Sequence, residues 1–173
     1  KVGKYPQQLM QTIKFPFSIQ KIIIKDGYAA YTEKSDISMK AGTVFFKNIQ
    51  GTITNVTNIK NLISKNNVTM LDQNASLMGI SKMHTVCRLP LNSTNGAFEV
   101  SGEAGAFNGP DVNPMVEALG MVNIESGKIN NLTFKITGTD HATKGTSVLL
   151  YENLKVELLK QDSGEVKKKN LMS

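Results

Sequence analysis

Residues 127–160 read GKINNLTFKITGTDHATKGTSVLLYENLKVELLK, and their alternation decides the fold. Leu132, Phe134 and Ile136 fall on one face of a first arm. Val148, Leu150, Leu154, Val156 and Leu158 fall on one face of a second. Period two over this length means long strands with one apolar and one wet face. Between the arms, the polar segment Thr139 to Gly145 predicts a turn closed by glycine.

The same pattern recurs upstream. Residues 17–25 (FSIQKIIIK) predict a strand, Asp26-Gly27 a hairpin turn, and residues 28–33 the returning strand. Residues 35–40 connect to a β-rich stretch over 42–56, in which Gly51 predicts a bulge or bend. The Asn-rich segment 58–67 reads as a loop or short helix. Strands are expected over 68–71 and 75–89 around a turn at Asp72-Gln73-Asn74, and again over 97–105. The helical signal lies at 111–120, where Asp111 or Asn113 can cap, Pro114 suits the first turn and Gly120 the stop. Pro6 and Pro16 limit any helix near the start. The expected organisation is a leading arm over 1–16, one β-rich domain over 17–160 and a basic, flexible tail over 161–173 that leads to a further C-terminal region. The fold class is mainly β: an antiparallel sheet of long amphipathic strands, open, groove-like or sandwiched, with one or two short helices.

At 173 residues the chain is long enough for one domain with a real core, made aliphatic by the absence of tryptophan and the presence of eight methionines. The net charge of +6 gathers partly at Lys1, Lys4 and Lys14 and at Lys167, Lys168 and Lys169. Such a run can contact anionic lipid or stand solvated as a tail. Nucleic acid is not an expected partner, because Arg88 is the single arginine and stacking aromatics are few. No apolar run reaches 18 residues, so no segment of the sequence reads as a membrane span.

Chemistry is sparse. His84 and His141 show no metal-ligand spacing, and Cys87 allows no disulfide within the chain. His84 and Cys87 are three apart in a strand pattern and so point to opposite faces. Cys87 is expected to be a small buried hydrophobe. The glycines of 102–109 lack the phosphate-loop and dinucleotide spacings and predict a turn with positive φ. No catalytic residue, metal ligand or cofactor is expected.

Three stretches carry a resemblance. Tyr31-Thr32-Glu33 precedes GTVFFKNI at 42–49 and Asn55-Val56-Thr57-Asn58. GAFEVSG at 96–102 precedes the Asn113-Pro114 helix. IESGKI at 124–129 is followed by Gly145 and LYENLKV at 150–156. In this order and spacing, from about Phe17 to Lys160, the chain resembles the C-terminal region of AsmA-like envelope proteins from Bacteroidota, which are similar to bridge-like lipid-transfer proteins. The resemblance implies a periplasmic body of stacked strands, an N-terminal inner-membrane anchor outside this sequence, and a non-enzymatic role in phospholipid transport or outer-membrane assembly. The chain would then be a fragment, its membrane attachment lying in other segments and its own partner being phospholipid acyl chains. No family residue is carried over, since the resemblance supplies no catalytic motif to match. The stripe Leu132, Phe134, Ile136, Val148, Leu150, Leu154, Val156 and Leu158 is expected to be either groove lining or core. The alternative reading is a secreted or surface β-module that binds protein or glycan. The sequence fixes no oligomeric state.

Overall fold

The computed structural model describes the backbone of residues 3–162 and 165–168 and the side chains of residues 3–160. Its strands are β1 (Ser18–Lys34), β2 (Ala41–Thr57), β3 (Val68–Leu77), β4 (Ser81–Pro90), β5 (Phe98–Ala104), β6 (Phe107–Asn108), β7 (Val122–Gly138), β8 (Thr143–Asp162) and β9 (Glu165–Lys168). Three short helices accompany them: α1 (Pro6–Thr12), α2 (Lys60–Ile63) and α3 (Asn113–Gly120), the last preceded by a 3-10 turn at Gly109–Val112. The sheet is open and antiparallel, in the order β1-β2-β3-β4-β5-β7-β8-β9, with β6 beside β7. The fold class is therefore the expected one, mainly β with an open sheet of long strands and short helices.

Two expected turns are not turns. Asp26-Gly27 lies inside a continuous β1, where Asp26 takes φ +52° and the pairing with β2 shifts on either side of Gly27. A bulge and a turn both call for a left-handed residue, and here the residue serves the bulge. Asp72, Gln73 and Asn74 are ladder residues of β3, paired with Val86, Thr85 and His84. The chain reverses instead at Met78 and Gly79, both with positive φ, where the Ile80 N–H donates to the Leu77 carbonyl at 2.9 Å. Gly51 is a regular ladder residue between Ile24 and Gln73, and the bulge of β2 falls at Asn48, with φ +53°.

The ends of the chain also differ from expectation. Pro6 opens α1 rather than preventing it, since a proline at the first helical position loses no helical hydrogen bond. The stretch read as a flexible tail from 161 completes β8 at Asp162 and forms β9 against Leu159–Asp162. Residues 163–164 and 169–173, with Lys169 of the basic run, lie outside the described residues.

The dry core is small: Leu91 is buried just beyond the end of β4 and Ile49 against Gly27, and the largest group sits at one corner. The central strands β3, β4 and β5 are shorter than β2 and β7, and α3 bridges the gap that this leaves. Ala118 and Leu119 lie over Gly42, the Ser38 hydroxyl donates to the Ala118 carbonyl at 2.6 Å, and Ala104, Val112, Ala118 and Ile129 are buried there. Neither Asp111 nor Asn113 caps α3. The preceding 3-10 turn places Val112 at the cap, and the Asn113 amide instead clamps β7, donating to the Ile124 carbonyl and accepting from its N–H, both at 2.9 Å. Met121, not Gly120, takes the left-handed stop at φ +52°. The glycines at 102, 105 and 109 do not adopt positive φ. Gly102 lies under the Phe134 ring and Gly109 under Ile124, so close approach is what excludes a side chain at these two. The expectation of a substantial core is not met. The chain exposes 11142 Å², against about 8,300 Å² for a compact protein of its mass.

Candidate functional site

Cross-strand partners in an antiparallel sheet share a face. Following the register from edge to edge gives one apolar row: Ile22, Ile53, Leu71, Cys87, Val100 and Ile136, ending on Gly145. On the opposite face the neighbouring row is Lys21, Thr54, Met70, Arg88, Glu99, Thr137 and Lys144. The sheet thus has an oily side and a wet side across seven strands.

On the oily side, at the end away from α3, lies a cavity of about 530 Å³. Its walls are Ile22, Ile53, Val56, Leu71, Cys87, Leu89, Phe98 and Val100 of the sheet, with Tyr5, Pro6 and Met10 of the N-terminal segment above them. Thr69 is the one wall residue with a side-chain hydroxyl apart from Tyr5, and that hydroxyl is spent on the Asn55 carbonyl at 2.7 Å. A space of this size is in the range of small-molecule sites.

The segment carrying α1 straps the mouth of this cavity by polar bonds. Gln7 is fully buried and donates to the Ala97 carbonyl at 2.9 Å; Tyr5 packs on Phe98 with ring centroids 5.2 Å apart. Asn58 donates to the carbonyls of Ile13 and Phe15, both at 2.9 Å. Asp140, in the turn between β7 and β8, accepts from the Gly3 N–H at 3.0 Å and the Gln8 amide at 2.8 Å. These bonds, the Gly3 N–H first, hold the Asp140 carboxyl below its ordinary value. A depressed carboxyl contributes stability that is present above its unfolded pKa and is lost as pH falls through the lower folded pKa. The strap should therefore loosen below the ordinary aspartate range. Asp140→Asn should speed proteolysis within residues 3–15 at neutral pH while leaving cleavage of the sheet unchanged; equal rates in the two proteins would refute the anchoring role.

The expected hairpin stripe is divided by the register. Leu132 pairs with Leu149, Phe134 with Ser147 and Ile136 with Gly145, whereas Val148 pairs with Thr133 and Leu150 with Asn131. Leu132, Phe134 and Ile136 belong to the oily side and Val148 and Leu150 to the wet side, so the two arms do not form one stripe. Val148, Leu150, Val156 and Leu158 are exposed, and Leu154 is half-buried beside Gly109 and Gly127. Of the stripe, none lines the cavity, although Ile136 continues its central row.

Cys87 is half-buried in the cavity wall, and burial pushes its thiol upward. His84 lies on the other face, its Nε2 at 2.9 Å from Asp72 Oδ1, beside a concavity of about 700 Å³ lined by Asn48, Gln50, Asn74 and Glu103. His141 is exposed in its turn. Among the described residues no group of three or more metal-ligating side chains converges, and no helix is long and apolar enough to cross a membrane. No family model, curated protein or solved structure matches the chain.

Proposed function

We propose that this chain is a non-enzymatic cell-envelope domain that shelters phospholipid acyl chains on the oily side of its sheet. It belongs, on this reading, to an AsmA-like periplasmic protein held at the inner membrane by segments outside this sequence, and it serves lipid transport or outer-membrane assembly. The carrying observation is the apolar-walled cavity beneath α1, continuous with an apolar row that crosses seven strands. An acyl chain entering such a space gains about 0.8 kcal/mol per buried methylene and asks for no charged partner. The wet-side concavity around His84 and Glu103 supports a second reading, recognition of a polar glycan or protein surface, because its lining brings four side-chain amides, Asn48, Gln50, Asn74 and Asn131, together with the Glu103 carboxylate.

The single cysteine makes the first reading testable. Native mass spectrometry of the purified chain should find bound phospholipid. Alkylation of Cys87 should be slow in that complex and should accelerate severalfold after delipidation in detergent. A lipid-free protein whose Cys87 reacts at the same rate with and without added phospholipid would overturn the proposal and favour the wet side.

A further inference from the structure

The outer edge of β8 is a long strand edge left unprotected. β7 occupies one side of β8, and β9 covers only Leu159–Asp162 on the other. From Thr143 to Leu158 no described strand lies along that side. Natural edges carry charges, prolines or bulges that discourage pairing. The opposite edge follows this rule in its first half, with Lys21 and Lys25 flanking its isoleucines and a bulge at Asp26, and its uncharged run after the bulge, residues 27–32, exposes Tyr28 and Tyr31 with alanines between them. Residues 145–151 of β8 (GTSVLLY) hold no charge, no proline and no left-handed residue, and expose Val148, Leu149, Leu150 and Tyr151 in succession; the register shift at Leu150 and Tyr151 places its extra residue, Asn130, on β7 and not on the free edge. Consecutive exposed apolar residues lie on both faces, so a neighbour on either face alone would leave half of them in water. A strand added edge to edge would cover both.

We propose that the partner is a second copy of this chain, paired β8 to β8 about a twofold axis at Val148. An antiparallel pair centred there sets Val148 opposite Val148, Thr146 opposite Leu150, Gly145 opposite Tyr151, and Lys144 opposite Glu152. The two charges that bound the neutral stretch thus meet their opposites, twice by symmetry. The register ends at Asn153, whose φ of +49° marks the bulge that breaks the regular edge. A shift of the axis by a residue in either direction loses the Lys144–Glu152 match. The pairing is isologous and closes at two copies, joining the two sheets into one that runs through both.

Sedimentation of the 173-residue chain over a range of concentrations should give a species of twice 18.9 kDa. Val148→Lys sets two ammonium groups face to face on the axis and should weaken the dimer at least about tenfold. Because Val148 is 59% exposed, the far-ultraviolet circular dichroism should not change. Lys144→Glu should also weaken it, and Lys144→Glu with Glu152→Lys should restore it. In a Cys87→Ser background, Val148→Cys should oxidise to a linked dimer and Val156→Cys should not. A monomer at every concentration, a species that grows beyond two copies, or a dimer indifferent to Val148→Lys would overturn the proposal.

Discussion

Gly127→Val should lower folding stability by about 3 kcal/mol or more, read as a fall in the urea midpoint. Gly127 sits in β7 at φ +121°, a conformation that strains any L side chain. A Cβ there would lie 2.6 Å from Leu154 Cα and 3.0 Å from the Asn153 carbonyl, backbone atoms of β8 that cannot retreat without opening the ladder. The pairing of β7 with β8 shifts on both sides of this residue, so the glycine lets two bulges offset each other. Gly120→Ala is the control: its nearest neighbour is Val122 Cγ2 at 4.0 Å, and stability should stay within about 0.5 kcal/mol of the parent. An unchanged midpoint for Gly127→Val would mean that β7 and β8 do not meet in this register.

Leu71→Glu should reduce the phospholipid carried by the purified chain at least about tenfold, since an unpaired carboxylate in an apolar wall must be desolvated whenever the cavity fills. Leu71 occupies the middle of the oily row, between Ile53 and Cys87, and lines the cavity. Thr54→Glu is the matched change on the wet side, near Lys21 and Met70 in its row, and should leave the lipid load as it was. Equal loss in both variants would point to general unfolding. Equal retention would remove the cavity from the account.

Alternation was legible in the sequence because it is a property of each strand alone. IIIK at 22–25 and LTFKI at 132–136 announce strands wherever their partners lie. Turn chemistry was less informative, because the left-handed conformation that Asp26 needs for a bulge is the same one that a tight turn would use. Asp72, Gln73 and Asn74 looked like a turn because they are polar in succession. Asp72 and Asn74 are wet-side positions of a long strand, and Gln73 stands between Gly51 and Thr85 at the edge of the oily row.

The cavity was hidden for a different reason. Ile22, Ile53, Leu71, Cys87 and Val100 are each visible as members of an alternating strand, yet their union depends on four registers that no single strand encodes. The hairpin shows how sensitive that is. The turn spans Thr139–Ala142 and Gly145 already pairs with Ile136, so Leu149, not Val148 or Leu150, is the neighbour of Leu132.

The placement of the dry core has a consequence for how the molecule comes apart. Ala104, Ile129, Val112 and Ala118 tie β5, β7 and α3 into one corner, while β1 is fastened mainly to β2. A meander of this kind resembles a row of stitches more than a ball: each ladder is secured by its neighbours, and no central knot holds them all. Amide protons of β1 should exchange with deuterium through openings that leave the α3 corner shut, so the chain loses its structure in stages and not in one cooperative step.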